Sequence, residues 1–260
     1  SKNEYTSKLE RSLEAVYGLK TAMVIDSKDL TNEEVEKVAA NYGAHYLNSR
    51  LKSIDRIGIS WGKGIRRIVD SIIHSSNMAV SVVPLIGGMG DSHVNIHSNQ
   101  LCYEFARKTR SSSKYLYTPA LVSNPTIRSE FENNEYIREI LDEAKQVDMA
   151  IVSISSPYHI NTMEEIGYIT KTDIKELEDL HVVGDMNSRF FDKNGMEVDH
   201  DTNTNVIGIS IEDLKKIPQV VALAYHEDKW SGVYYSCINH LITDLITTDV
   251  IAKQILKAEL

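Results

Sequence analysis

A chain of 260 residues has room for one large α/β domain or two small ones, with a core that needs no covalent staple. Its two cysteines, Cys102 and Cys237, stand far apart and in no metal-ligand spacing, which argues against a disulfide framework and for a reducing, cytoplasmic setting. A formal charge of −9, from 37 acidic against 28 basic residues, argues against a segment that grips nucleic acid by itself, because phosphate neutralisation needs a basic face.

Leu9, Leu13, Val16 and Tyr17 fall on one helical face, and a strand is expected at residues 22–25. Thr31 followed by Glu34 reads as a capping box, with Val35, Val38, Ala39 and Tyr42 continuing at helical spacing. The pattern then repeats. Strands are predicted at 56–59, 79–86, 115–117 and 149–154, and later at 181–183, 220–224 and 245–247. Between them lie helical stripes such as Ile65, Ile68, Val69, Ile72, then Val94, Leu101, Phe105, then Ile137, Ile140, Leu141, Ala144. Residues 189–198 read as a hairpin turning at Asn194 and Gly195. Strands alternating with helices predict a Rossmann-like α/β domain: a mostly parallel sheet with helices on both faces. No linker or repeat divides the chain. No apolar run is long enough to span a bilayer, and the polar N-terminus is no secretory signal.

Ligands of open parallel sheets bind on the loops at the carboxyl ends of strands. The run GISWGKG at 58–64 ends a strand and opens a helix, so Ser60, Trp61, Gly62, Lys63 and Gly64 are candidates for holding an anion at the helix N-terminus. The spacing is neither a Walker loop nor a dinucleotide fingerprint. A second glycine run follows the next strand, with Gly87, Gly88, Met89 and Gly90 expected to line the same pocket. His93 and His97, at i and i+4, would share a helical face, but without a third ligand they predict no metal. Asn95 between them is a polar group expected to turn towards a ligand. Asp185 lies just past a strand end, placed to accept from hydroxyls, and Lys229 opens a helix where a cation is unfavourable unless it meets an anion. The adjacent Glu164 and Glu165 read as surface. Nothing forms a catalytic set, and no cofactor is implied.

In order and spacing, these segments resemble the C-terminal effector-binding domain of SorC-type (SorC/DeoR class) transcription regulators. The carrying runs are residues 9–24, 57–62, 83–93, 120–122, 144–155, 183–192 and 220–249, essentially the whole chain. The resemblance implies a fold related to sugar-phosphate isomerases and CoA transferases, used for sensing a phosphorylated sugar or polyol in control of carbohydrate catabolic genes. It also implies homodimers or homotetramers, and operator contact through a helix-turn-helix domain upstream of residues 1–260. It assigns phosphate binding to the loop at 60–64 and to Lys229, places Gly87–Gly90 in the same pocket, and gives hydroxyl contact to Asp185. Three positions depart from the pattern: Gly64 stands where relatives have threonine, and Ser153 and Ser155 where they have glycines. An isomerase- or deaminase-like enzyme on the same fold is the alternative, though the acidic run of the ribose-phosphate isomerases is missing. A purely structural oligomerisation module is the blandest reading.

Overall fold

The computed structural model describes residues 3–74, 79–159 and 161–259. The elements run α1 Glu4–Tyr17, β1 Thr21–Ile25, α2 Asn32–Arg50, β2 Arg56–Ile59, α3 Lys63–Ser71, β3 Ser81–Pro84, α4 Ser98–Thr109 and β4 Ser112–Ser113. They continue with α5 Pro125–Glu132, α6 Glu135–Lys145, β5 Met149–Ser155, α7 Thr162–Glu165, α8 Lys171–Asp179, β6 Gly184–Met186 and β7 Arg189–Phe191. The chain closes through α9 Asp201–Thr204, α10 Ile211–Lys215, β8 Gln219–Leu223, α11 Trp230–Ile238, β9 Asp244–Thr248 and α12 Asp249–Lys257. Helix starts follow local chemistry. Thr31 and Glu34 close the expected capping box on α2, and Asn3, Asn124, Asn134 and Thr248 each accept a first-turn backbone N–H.

The sheet has nine strands, seven of them parallel in the order β1-β9-β8-β5-β2-β3-β4, with the β6–β7 hairpin added antiparallel to the end of β5. Moving in one direction along this order, from β1 to β2, β3 and β4, the chain crosses by way of α2, α3 and α4, which all pack on one face. Returning through β5, β8 and β9 it uses α6, α10 and α11 on the opposite face, where α1 and α12 also lie. Crossovers of one hand require this division. Strand side chains alternate accordingly: Met149, Ile151, Val221 and Ile246 face the first core, and Ala150, Val152, Val220 and Leu245 the second. Because β2 and β5 are neighbours whose following segments leave on opposite faces, a crevice opens beyond their carboxyl ends. A third, smaller apolar cluster roofs this end, built from Trp61, Met89, Ile96, Met163, Leu177 and Phe190 among others.

Four expectations need correction. Residues 115–117 are not a strand: β4 is Ser112–Ser113, and Leu116 is buried with its backbone N–H and carbonyl bonded to the Asn99 side chain. Alternation in Tyr115-Leu116-Tyr117 arises because the two tyrosines stack outside while the leucine points in. Residues 181–183 are a turn, with His181 at φ 59°, and the strand begins at Gly184. The segment after β3 starts as a 3-10 turn, Val94–Ile96, and α4 begins only after His97, so His93 and His97 share no helical face. Finally, the hairpin expected at 189–198 does form, residues 190–192 turning back antiparallel on 196–198, but the two-residue turn with both residues at positive φ (53° and 57°) is Asn187–Ser188, in a preceding hairpin between Met186 and Arg189, which pair. Near the expected turn, Gly195 alone takes positive φ, closing a second bend in which Phe191 bridges Glu197.

Candidate functional site

A cavity of about 440 Å³ occupies the crevice at the switch point. Its wall is the loop from Ser60 to Gly64 after β2, Ser153 to Ser155 at the end of β5, and the segment from Leu223 to Lys229 after β8. The hairpin contributes Asp185, Asn187 and Ser188, the start of α7 contributes Asn161 to Met163 and Glu165, and α2 contributes Glu36. The N-terminus of α3 opens here, with Gly62 as its cap at φ 130°, a conformation that strains any residue with a Cβ. The positive end of that helix favours an anion.

Side chains lock this loop to the roof. Ser60 Oγ donates to Asn187 Oδ1 at 2.6 Å, and Trp61 Nε1 donates to Ser188 Oγ at 2.8 Å. Asn187 Nδ2 donates to the carbonyls of Leu85 (3.0 Å) and Ile209 (3.1 Å). Gly62 N–H donates to Ile96 O at 3.0 Å, which fixes the 3-10 turn carrying Asn95 against the same loop.

Charges line the cavity in opposed pairs. Lys63 meets Glu165 at 3.1 Å, Arg67 meets Glu36 at 2.8 Å, and His226 meets the same glutamate at 3.3 Å. Arg66 bonds to Asp70 and to Asn95 O. Deeper in, Lys229 Nζ donates to Ser155 Oγ at 2.7 Å. Asp185, opposite Ser155 in the β5–β6 ladder, is 5 % exposed, and its Oδ1 has no partner among the described residues. Burial pushes its carboxyl up to about 7, with the nearby Lys229 cation pulling the other way. The lining thus offers a cationic helix end, hydroxyls, amides and one half-neutral carboxyl, a set suited to a polyhydroxylated, anionic small molecule.

Of the residues expected at the site, Ser60, Trp61, Gly62, Lys63, Gly64, Asn95, Asp185 and Lys229 line the cavity. Gly87, Gly88, Met89 and Gly90 do not, and this corrects the expected second loop. Gly87 and Gly88 serve a backbone crossing: their N–H groups donate to Ile207 O and Thr118 O, and a Cβ on Gly87 would stand 2.6 Å from the carbonyl oxygens of Thr118 and Pro119. Met89 packs in the roof beside Trp61, and Gly90 is an exposed turn at φ 84°. Glu165, read as surface, faces the cavity and holds Lys63. Asn187, Ser188, Arg67 and Tyr225 went unsuspected, Ser155 was marked only as a departure from the family pattern, and the polar Asn187–Ser188 pair between two apolar strands offered the one local signal.

Two of the departures from the family pattern, Ser155 and Gly64, have physical reasons. Ser155 supplies the hydroxyl that anchors Lys229, a contact glycine lacks. A Cβ on Gly64 would lie 2.6 Å from Leu223 Cδ2 and 3.2 Å from the Tyr225 hydroxyl, so glycine fits because leucine fills that space. Gly64→Thr is therefore expected to cost about 1–3 kcal/mol by overpacking, read from denaturant midpoints, and Leu223→Ala in the same chain should recover part of that loss.

Away from the cavity, Asp173, Glu176 and His200 come within 4.8 Å of one another. Asp173 is engaged in the capping box of α8 and His200 caps α9, so the cluster is accounted for by helix ends. No helix among the described residues is long and apolar enough to cross a membrane.

Comparison with known proteins places this architecture. A family model described as "Putative sugar-binding domain" matches residues 1–257. The sorbitol operon regulator of Klebsiella pneumoniae is 31% identical over 251 residues, 96% of this chain and 80% of that protein. The deoxyribonucleoside regulator of Bacillus subtilis is 28% identical over 222 residues, 85% of this chain and 71% of its own length. Among solved structures, a DeoR family transcriptional regulator from Listeria monocytogenes superposes with a TM-score of 0.91 at 43% identity, covering 96% of this chain and 99% of that one. The full-length sorbitol operon regulator SorC from Klebsiella pneumoniae gives 0.91 at 30% identity, covering 98% and 83%. These relatives are transcription regulators, not enzymes. The chain belongs to the sugar-binding domain family of SorC-type transcription regulators.

Proposed function

We propose that this domain senses a phosphorylated sugar or polyol in the cytoplasm and passes the signal to operator DNA through a helix-turn-helix domain joined upstream. The observation that carries this reading is the N-terminus of α3 opening on a cavity whose other walls present Asp185, Asn187, Ser188 and Lys229. The helix end and Lys229 suit a phosphate, and the carboxyl, amide and hydroxyls suit a polyol chain. The assembly that responds is a homodimer or homotetramer, as the resemblance implies, and the genes controlled are those of carbohydrate catabolism. Relatives named for sorbitol, deoxyribonucleoside and erythritol regulation support the class of ligand without choosing the sugar.

The test is thermal unfolding against sorbitol phosphate, a deoxypentose phosphate and the free sugars. A true effector at ten times its dissociation constant stabilises the fold by about 1.4 kcal/mol. Lys229→Ala is expected to weaken a phosphorylated ligand by roughly ten- to a hundredfold, since hydrogen bonds to charged groups contribute about 1.5–3 kcal/mol, and to leave the free sugar much less affected. Equal loss for both forms would remove the phosphate from the proposal.

A further inference from the structure

One buried polar side chain of the cavity wall leaves an oxygen without a partner among the described residues. Asp185 comes from the antiparallel hairpin, faces inward at 5 % exposure, and leaves Oδ1 unpaired among the described residues. Lys229, from the turn before α11, is the full charge that bears on it, and that lysine is tethered to Ser155 at 2.7 Å. From behind, the buried Tyr168 phenol also feels Asp185, and burial keeps that phenol protonated. Arg189, on the partner strand of the hairpin, is committed to Glu197 at 3.1 Å and to the carbonyls of Asn203 and Gly208. At the rim, Lys63–Glu165 and Arg67–Glu36 neutralise each other.

A buried carboxyl in this state is hard to ionise, because burial disfavours the anion and Oδ1 meets no hydrogen-bond donor among the described residues. Its carboxyl accordingly sits near neutrality, at about 7, when nothing fills the cavity. A polyol entering beside it brings O–H groups, and an O–H donated to a carboxylate makes a stronger bond than one donated to a carboxylic acid. Ligand contact and ionisation therefore favour each other. We propose that effector binding expels the proton of Asp185 to solvent, so that affinity for the ligand rises with pH across neutrality. No covalent bond changes; the proton is exchanged for a ligand hydroxyl. This regulation rests on the reading above that a polyhydroxylated ligand fills the cavity.

Two measurements decide it. In the empty domain, carboxyl carbon resonances followed over pH should show Asp185 titrating near neutrality. Titration in the ordinary carboxylate range, around 4, overturns the proposal whatever the ligand. Calorimetry with sorbitol phosphate and with free sorbitol, from about pH 5.5 to about pH 8.5 in buffers of different ionisation enthalpy, then counts protons. The expected result is affinity rising by up to about tenfold per pH unit below about 7 and levelling above it, with up to one proton released near pH 6. Asp185→Asn should lose that released proton and its share of the slope, leaving only the ligand phosphate's own ionisation, which free sorbitol lacks. Identical proton counts in wild type and Asp185→Asn overturn the linkage while leaving the sensor reading intact. Failure of sorbitol phosphate, the deoxypentose phosphate and both free sugars to bind at any pH counts against the sensor reading, and against the linkage with it.

Discussion

Replacing Asn187 by alanine is expected to destabilise the domain by several kcal/mol and to abolish effector binding. The side chain is 2 % exposed and makes three bonds: it accepts from Ser60 and donates to the carbonyls of Leu85 and Ile209. It thereby pins the roof hairpin to the loop after β2, to the end of β3 and to the segment entering α10. Alanine leaves these buried groups unpaired at about 1–3 kcal/mol each, a sum that relaxation reduces. A second contribution comes from the backbone. Asn187 holds φ 53°, a conformation asparagine tolerates and alanine resists by about 1–2 kcal/mol. Asn187→Gly separates the two, because glycine adopts positive φ freely but makes none of the bonds, so it should recover only the backbone part. Function follows from geometry: the same turn presents Ser188 to Trp61, and Asp185 lies two residues upstream on β6. Urea unfolding midpoints check the stability and ligand-induced thermal shifts check the binding. A loss under about 1 kcal/mol in Asn187→Ala would show that the hairpin is held by its apolar roof instead.

The sheet was legible because its strands are buried on both faces and separated by helical stripes. Residues 149–154 and 220–224 differ from the observed β5 and β8 by a residue at one or both ends. Short elements were not. Two-residue β4 has no periodicity to detect, and Tyr115-Leu116-Tyr117 imitates a strand through one buried leucine. In the site, the loop from Ser60 to Gly64 was readable because a strand, glycines and a helix start occur together, which is the chemistry of an anion cradle itself. The run at Gly87–Gly90 carries the same glycine signal for another cause. Glycine reports that a backbone must come close, and here what approaches is Thr118, Pro119 and Ile207, not a ligand. Asn187 went unseen because its partners Ser60, Leu85 and Ile209 are 127, 102 and 22 residues away, beyond any local pattern.

In the absence of ligand, stability is expected to fall between about pH 4 and about pH 7, and Asp185→Asn should flatten that part of the decline. The sign follows from proton uptake. An unfolded aspartate ionises near 3.9, whereas the folded Asp185 carboxyl is raised to about 7, so across that window the native state holds more protons than the unfolded one. Stability then drops with rising pH by up to about 1.4 kcal/mol per unit, a total on the order of 4 kcal/mol, and is level above the folded value. The penalty is absent below the unfolded value. Asparagine occupies the same space without ionising, so its advantage over wild type should be near zero at about pH 4 and a few kcal/mol at about pH 8. Lys229→Ala should widen the window upwards, since it removes the cation that offsets burial. Denaturant midpoints over a pH series give all three curves, and parallel curves for wild type and Asp185→Asn would mean that the carboxyl is solvated in the empty cavity. Saturating ligand should abolish the decline in wild type alone, because a bound hydroxyl supplies the partner that Oδ1 lacks. Such a carboxyl weakens the empty fold in order to be strong in recognition, the trade expected where binding and not packing decides the residue.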